Sequence, residues 1–351
     1  MLVIRQDRIL YRTLFWTLIC ILIILSGANT DNMDLESSIY EYENYTESRQ
    51  GEWLNFLIEE FFRINQLSFE YYRLALHIGG YVLIFSTFYK FFGINFYLIL
   101  LYAIYPFTID FIQTPNFCSM CFIIFSTRFL IELTIRNILK FVTCIMLAAG
   151  MHSMAYLYLG ILVLMYYMRD KDIFRVGKSL LVCGILLGIV DRIVGFIYPL
   201  MQFVTNNDDR LSLYFGGYTK LGFILYWITQ ILLWYMMKYI VEKVEIANKH
   251  NDITETRIIK YLKLIYIVTC FGLLLMPLVG YAGTMFRLVR NYYVLVYAAW
   301  AYYLKYYGTI KEKYVLGAGF MLFPIFMYAI ESFDVHFYVI NILNNNWIIN
   351  N

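Results

Sequence analysis

The sequence predicts an all-α, polytopic integral membrane protein that forms a single domain over residues 1–351. Of its 351 residues, 61% are hydrophobic, 20% are aromatic and only 15% are charged. A chain of this size cannot hide so many apolar residues in a water-soluble core. The net charge of +3 is small, and the sequence has no basic cluster with interleaved aromatic residues, which excludes a nucleic-acid partner.

A helix needs about 20 mostly apolar residues to cross a bilayer. Such runs lie at roughly 11–27, 71–89, 93–112, 117–135, 179–203, 221–241, 264–283, 290–308 and 315–333. The run 141–168 would measure about 42 Å as one straight helix, longer than a bilayer core of roughly 30 Å. We therefore predict a broken or hairpin helix pair that bends near Gly150 and His152, within about eleven transmembrane or re-entrant helices.

Basic residues orient these helices, because cytoplasmic loops collect Lys and Arg. The N-terminus is basic, and so are the loops at 169–178, 242–263 and 305–313. With the N-terminus inside, the predicted hairpin keeps these loops inside. It places the C-terminus outside, together with residues 28–70, 113–117, 204–219 and 284–290.

The acidic, Tyr-rich stretch "SGANTDNMDLESSIYEYENY" (residues 26–45) leads from the first span into the external segment 28–70. Residues 51–69 alternate apolar and charged positions at helical spacing, which predicts an amphipathic helix on the outer leaflet. Residues 1–27 resemble a secretory signal peptide, but the repeated spans favour a retained first helix.

Ionisable residues at membrane depth are candidates for function. His152 lies at the predicted bend and suits a general base or a hydrogen-bond donor, because imidazole titrates near neutral pH. Arg287 and Arg290, three residues apart, share a helical face. Two guanidiniums there can grip a pyrophosphate or extend to lipid phosphates.

Asp191 and Arg192 lie near the centre of the otherwise apolar run 179–203. A structural ion-pair role and a catalytic role are equally open for them. Tyr214 lies in the outer loop "TNNDDRLSLYFGG", which suits either a sugar platform or a solvated loop. The lone CxxC of Cys118 and Cys121 is a weak redox or metal signal, and small buried helix residues are the favoured interpretation. The sequence shows no nucleotide loop or zinc signature, so we predict no cofactor and no metal.

Four further features carry a family resemblance. They are Gly27, Thr30 and Asp31 followed by tyrosines, "YPFTIDFIQTPNFCSMCFIIFS", "LAAGMHSMAYLYL" and "FRLVRNYY". With the closing "YVINILNNNWI", they resemble the EpsG family of Wzy-like polymerases, bacterial membrane proteins that extend capsular or exopolysaccharide chains. Family members usually carry arginines before the Thr-Asp motif and at the start of the later helix. The sequence here reads "LSGANTD" and "IQTPNF", which leaves the anion-binding role to Arg287, Arg290 or Arg192.

The resemblance implies glycosyl transfer between two undecaprenyl-pyrophosphate-linked oligosaccharides, a donor and an acceptor, at the outer face of the bacterial cytoplasmic membrane. It assigns Arg287 and Arg290 to the pyrophosphate and His152 to the acceptor hydroxyl. It assigns Asp31 to a sugar, to His152 or to an arginine. It also implies that the acidic stretch at 26–45 begins the wall of an outer-face carbohydrate cavity, because carboxylates accept hydrogen bonds from sugar hydroxyls and tyrosines offer apolar faces. Membrane lipid, a flippase and a chain-length regulator are the expected partners.

Further substrate-binding residues are expected at Thr30, Gln113, Asn116, Asp191, Arg192 and Tyr214. Two alternatives remain open for the function. One is a flippase for lipid-linked oligosaccharides, and the other is a membrane O-acyltransferase that modifies the polymer.

Overall fold

The computed structural model describes residues 2–44, 51–195, 197, 199, 222–250, 256–280, 283–331 and 344–350. Within these residues the regular structure is helical, apart from one isolated antiparallel bridge between Asn29 and Asn346. The predicted all-α class is confirmed.

The chain forms two compact units, residues Met1–Leu157 with Trp300–Asn351, and residues Tyr158–Ala299. The described helices before the boundary at residue 157 are α1 (Leu2–Gly27), α2 (Leu35–Asn44), α3 (Trp53–Ile64), α4 (Phe69–Phe92), α5 (Phe96–Ile104), α6 (Phe107–Asp110), α7 (Thr114–Thr127) and α8 (Ile135–Met151). A 3-10 helix, Ser153–Tyr158, crosses that boundary.

The described helices that follow are α9 (Leu159–Met168), α10 (Ile173–Val194), α11 (Gly222–His250), α12 (Arg257–Leu274), α13 (Met276–Val279), α14 (Arg287–Arg290), α15 (Tyr293–Tyr306), α16 (Ile310–Glu331) and α17 (Trp347–Asn350). A second 3-10 helix, Gly283–Phe286, precedes α14. The boundary at residue 299 falls inside α15.

Several described helices are long and apolar enough to cross a membrane. They comprise Ile9–Gly27, Phe69–Phe92, Ile173–Val194, Phe223–Lys249 and Ile310–Ile330. These helices fit a multi-pass membrane protein. The predicted total of about eleven segments stays a prediction.

Proline divides two of the predicted runs into shorter helices. The run 93–112 becomes α5 and α6, which are separated at Pro106. Proline has no backbone N–H and its ring opposes a continuing helix. The run 264–283 divides in the same way, because α12 ends at Leu274 and Pro277 lies in the first turn of α13.

The run 141–168 is interrupted next to its histidine. Helix α8 ends at Met151, and His152 takes an extended conformation with φ −152° and ψ 114°. The 3-10 helix follows, and a regular helix resumes only at Leu159.

Helix α4 is the centre of the first unit and packs against α1 and α7. Two glycines allow these close approaches. A Cβ at Gly27 would lie 2.9 Å from Leu74 Cδ1, and a Cβ at Gly80 would lie 2.5 Å from the Phe117 ring. These approaches hold the end of α1 and the first half of α7 closely against α4.

Candidate functional site

The turn that follows α1, residues 27–32, is pinned by the C-terminal segment, residues 344–350. The Thr30 N–H donates to the Asn345 carbonyl at 2.7 Å, and the Trp347 N–H donates to the Ala28 carbonyl at 3.1 Å. The Asn345 side-chain amide also donates to Asp31 Oδ2 at 2.9 Å. The last residues of the chain therefore fix the position of the Asp31 carboxylate.

A buried arginine of α4 hydrogen-bonds to this turn. Arg73 lies in α4 with 2% of its surface exposed. Its guanidinium donates to the Asn29 carbonyl at 2.5 Å and to the Phe111 carbonyl at 2.9 Å. Because hydrogen bonds from a charged donor are stronger than neutral ones, Arg73 ties the Asp31 turn to the segment that leads into α7.

This link brings two groups of predicted site residues to one place. Thr30 and Asp31 follow Asn29, while Gln113 and Asn116 come shortly after Phe111. Gln113 is the N-terminal cap residue of α7, and Asn116 is buried within its first turns. The two sequence motifs therefore flank Arg73.

Arg73 itself was missed by the sequence analysis. Its signal was present, because it is an ionisable side chain inside the predicted span 71–89, and such residues are candidates for function. The sequence does not show that the Arg73 guanidinium hydrogen-bonds to two carbonyls that lie 38 and 44 residues away along the chain.

A small polar cleft opens beside Arg73, with a volume of about 30 Å³, which is roughly the space of one water molecule. Its lining comes from the turn after α1, from α2 and α3, from the start of α4, and from the residues around the start of α7. The polar side chains that line it include Asn32, Glu41, Asn55, Glu59, Arg73 and Thr114. Carboxylates, amides, hydroxyls and a guanidinium therefore face one small space.

The floor of the polar cleft is a hydrogen-bonded network of three buried side chains. The Asn55 amide donates to Glu59 Oε1 at 2.8 Å. The Tyr72 hydroxyl lies 2.7 Å from Asn55 Oδ1 and 3.2 Å from Glu59 Oε1. Asn55 and Glu59 are four residues apart on α3 and share one helical face. The network fixes the carboxylate and the amide in single orientations.

Tyr42 anchors helix α2 at the edge of this cleft. Its hydroxyl donates to the Leu67 carbonyl at 2.8 Å, and its ring contacts those of Phe69 and Tyr72. Removal from water raises the pKa of the Tyr42 phenol. The hydroxyl therefore keeps its proton, and keeps donating, to a higher pH than a free phenol does.

A second buried ionisable residue lies one turn beyond Arg73. His77 is fully buried, and its ring stacks on Phe117 with centroids 4.9 Å apart. Its Nε2 lies 3.4 Å from Thr114 Oγ1, while its Nδ1 has no hydrogen-bond partner among the described residues. His77 was also missed by the sequence analysis, although it too interrupts a predicted span.

The EpsG family model matches residues 12–348. The chain belongs to the EpsG family. EpsG is a Wzy-like polymerase family, and the predicted resemblance is therefore confirmed. No curated protein and no solved structure matches the chain. The matched residues contain the Asp31 turn, the polar cleft and most of the C-terminal segment.

In this EpsG protein, His152 forms the C-cap of α8 and its N–H donates to the Ala148 carbonyl at 2.9 Å. Gly150, two residues earlier, packs against α3, where a Cβ would lie 2.7 Å from Trp53 Cε2. Helix α3 thus contacts both the polar cleft and the turn that ends at His152. The catalytic role of His152 stays a prediction.

Arg287 and Arg290 form the two ends of the one-turn helix α14 in the second unit. Arg290 is buried with 3% of its surface exposed, and Arg287 is partly buried. The Tyr158 hydroxyl donates to the intervening Leu288 carbonyl, which packs the helix inside this unit. Their role in binding pyrophosphate stays a prediction.

Asp191 and Arg192 lie in the last turn of α10, not at the centre of a span. The helix ends at Gly195, which adopts a left-handed conformation with φ 66°. Asp191 Oδ1 accepts from the Ile197 N–H at 2.8 Å, and the Arg192 guanidinium lies 3.8 Å from the centroid of the Phe223 ring. These contacts give both residues a local structural role, and their predicted substrate contacts stay untested.

Tyr214, with the acidic loop around it, lies outside the described residues. Cys118 and Cys121 are buried on α7. A Cβ at Gly80 would come within 2.9 Å of the Cys121 sulfur, which places Cys121 at the packed contact with α4. Across the part of the chain that the structure describes, no group of three or more His, Cys, Asp or Glu residues is arranged to hold a metal ion.

Proposed function

We propose that this EpsG protein is a polysaccharide polymerase that joins undecaprenyl-pyrophosphate-linked oligosaccharide repeat units by glycosyl transfer. The observation that carries the proposal is the family match over residues 12–348, nearly the whole chain. The described apolar helices fit such a membrane protein. We place the reaction at the outer face of the bacterial cytoplasmic membrane, with the N-terminus inside and about eleven membrane segments.

The proposed reaction exchanges one bond at the sugar for another. The bond between the donor's anomeric carbon and its pyrophosphate oxygen breaks, and a glycosidic bond forms between that carbon and an acceptor hydroxyl oxygen. The hydroxyl proton leaves to a base, and the lipid-linked pyrophosphate departs with the electron pair. The protein must therefore neutralise the leaving group and position the acceptor hydroxyl.

Roles for the predicted residues follow from these needs. Arg287 and Arg290 are assigned to the pyrophosphate, because guanidinium forks match phosphate oxygens. His152 is assigned to the acceptor hydroxyl as its base or orienting group. Asp31 is assigned to a substrate sugar, which its fixed position on the Asn345 amide supports.

The test is the length distribution of surface polysaccharide on a gel. Cells that lack their own copy receive the wild-type protein, His152→Ala, Arg287→Ala or Asp31→Asn at matched protein levels. The exposed Arg136→Ala serves as the control variant. We expect single lipid-linked repeats on the outer leaflet in the deletion strain and the three site variants, and long chains with wild type and the control.

Other outcomes would exclude the proposal. Long chains in the deletion strain would exclude a polymerase. Repeats held on the inner leaflet would indicate a flippase, and long chains that lack acyl groups would indicate an O-acyltransferase. Long chains in all three site variants would refute the residue assignments and leave the polymerase activity standing.

A further inference from the structure

We infer that a groove along the first half of α8 is a binding site for an anionic phospholipid, with one acyl chain in the groove and the phosphate between Arg136 and Lys140. The groove shares no lining residue with the polar cleft. The inference concerns a lipid partner of the protein and is independent of the proposed function.

The groove is large enough for part of a lipid. Its volume is about 610 Å³, within the range of roughly 300–1,000 Å³ found for small-molecule sites. Its lining comes from Phe129, in the turn after α7, and from one face of α8. The residues of α8 that line it are those at positions 135, 136, 139, 140, 143 and 144. At 1.5 Å per residue, this face runs for about 14 Å along the helix.

The wall of the groove is apolar and exposed. Ile135 and Leu139 are large apolar side chains, yet they are 73% and 60% exposed. Such surface is unfavourable in water. Because α8 leads into the predicted membrane run 141–168, the partner available to this wall is an acyl chain, which is as apolar as the wall itself.

Two cations lie beside the apolar wall. Arg136 and Lys140 are exposed and four residues apart, so they share a helical face. Among the described residues, neither side chain has a hydrogen bond or an ion pair, and the Lys140 ammonium lies 5.5 Å from the centroid of the Phe129 ring. Guanidinium and ammonium groups bind phosphate oxygens. An anion at this place in a membrane is the phosphate of a lipid headgroup.

The other charges near the groove also favour an anion. The charged residues between positions 128 and 144, with a formal sum of +2, are Arg128, Glu132, Arg136 and Lys140. Arg128 is held elsewhere, because its guanidinium donates to Thr87 Oγ1 at 2.9 Å. Glu132 is exposed and lies outside the lining. Both charged side chains that line the groove are therefore positive, and a headgroup with net negative charge is attracted more than a zwitterionic one.

The order of charged and apolar groups along α8 matches the order within a phospholipid. Arg136 lies in the first turn, Lys140 one turn later, and Cys144 one turn beyond that. A lysine stem can extend along an apolar surface while its ammonium stays at the polar end. Both charges therefore reach the level of a headgroup, and the remainder of the groove is left for the acyl chain.

The first test measures lipid binding to the full-length protein by native mass spectrometry in detergent. The probes are dioleoyl phosphatidylglycerol and dioleoyl phosphatidylcholine, which share their acyl chains and differ in headgroup charge. We expect phosphatidylglycerol to bind about fivefold more tightly or better, because Lys and Arg near a membrane surface attract anionic headgroups. Inorganic phosphate, which has no acyl chain, should not displace it.

Charge variants test the two cations. Arg136→Gln and Lys140→Gln each remove one charge at an exposed position. Each should weaken binding of phosphatidylglycerol about fivefold and leave that of phosphatidylcholine nearly unchanged. Lys178→Gln makes the same change at an exposed position of α10, outside the groove lining, and should bind both lipids as wild type does.

A second pair of variants locates the lipid. Thr143 is exposed and lines the groove, so Thr143→Trp should fill the groove without disturbing the core. Met146 is 39% exposed on the same helix and lies outside the lining. A phosphatidylglycerol with a photoreactive acyl chain should crosslink to residues 129–144 in wild type and in Met146→Trp, and should lose this crosslink in Thr143→Trp.

Several results would overturn the inference. Equal affinity for the two lipids would exclude selection by charge, and a wild-type crosslink in Thr143→Trp would exclude the groove. Displacement by inorganic phosphate would indicate an anion site without an acyl chain. A dimer that Thr143→Trp disrupts would show that a second copy covers this face. Tighter binding of undecaprenyl phosphate would assign the groove to the polyprenyl lipid instead.

Lipid binding and polymer length are separate readouts. No residue assigned to the reaction lines the groove, so a variant that loses the lipid should still form long chains, as expected for the Arg136→Ala control. Long chains in the deletion strain would reject the polymerase and leave the lipid site standing. Loss of the lipid site would leave the proposed reaction standing in the same way.

Discussion

The link that Arg73 makes between the Asp31 turn and the segment before α7 gives a quantitative prediction. Replacing Arg73 with Met keeps the apolar stem and removes both guanidinium hydrogen bonds. Each buried carbonyl left unsatisfied costs about 1–3 kcal/mol. Relief from burying the charge offsets part of this sum, so we expect a net loss of about 2–4 kcal/mol.

The loss should be local, because the two carbonyls lie in the turn at 27–32 and in the segment 110–113. Hydrogen exchange measured by mass spectrometry on the protein in nanodiscs reports how often these segments open. A loss of about 2 kcal/mol corresponds to roughly 30-fold faster exchange. Residues 344–350 should exchange faster as well, since they pair with the turn.

Two further variants make this prediction specific. Arg73→Lys keeps the charge, but a compact ammonium lacks the planar fork that spans both carbonyls. We expect it to recover only part of the protection. Arg136→Met, at an exposed position on α8, should leave the exchange unchanged. Wild-type protection of both segments in Arg73→Met would refute the argument that Arg73 holds the site together.

Three further predictions concern the packing and the edges of the same unit. Gly80→Leu should destabilise the protein by more than about 1–3 kcal/mol, because the added side chain would overpack the contact with α7. Gly79→Leu should not destabilise it, because Gly79 has open space around it. Thermal unfolding in detergent compares the two variants. Asn345→Ala removes the hydrogen bond to the Asp31 carboxylate and should shorten the polymer seen on gels while the protein level stays constant. Polymer of unchanged length would contradict the argument that Asn345 holds Asp31 in place. Tyr42→Phe should lower the free energy of unfolding by about 0.5–1.5 kcal/mol at neutral pH, because the hydrogen bond to the Leu67 carbonyl is lost. Because burial raises the folded-state pKa of this phenol above the ordinary value of 10.0, its contribution is complete below about pH 10 and declines as the pH rises through the folded-state value. The free energies of unfolding of wild type and Tyr42→Phe should therefore converge as the pH rises above about 10. A difference that stays constant with pH would contradict this prediction.

Composition, the lengths of apolar runs and short motifs predicted the broad architecture well. The all-α class follows from composition, and the family follows from motifs that are read directly along the chain. The interruption at 141–168 was expected near Gly150 and His152, and α8 does end at Met151. The length of the apolar run 93–112 predicted one continuous helix, but Pro106 separates two short helices there. That proline was visible in the sequence.

Local rules were less informative about individual polar residues. Asp191 was expected near the centre of a span, but Gly195 ends its helix in a left-handed conformation and turns Asp191 toward the Ile197 N–H. Position within an apolar run does not show where a helix stops, because glycine can either continue or end it.

By itself, the sequence determined that this chain is a helical membrane protein of the EpsG family, and that Asp31 follows its first span. Only the tertiary structure decided which groups surround that aspartate. Asn345 lies 314 residues from Asp31 along the chain. Arg73 donates to one carbonyl that precedes its own helix in the sequence and to one that follows it. Helical periodicity shows which face of a helix is apolar, but which distant segment that face meets depends on the packing of the whole unit.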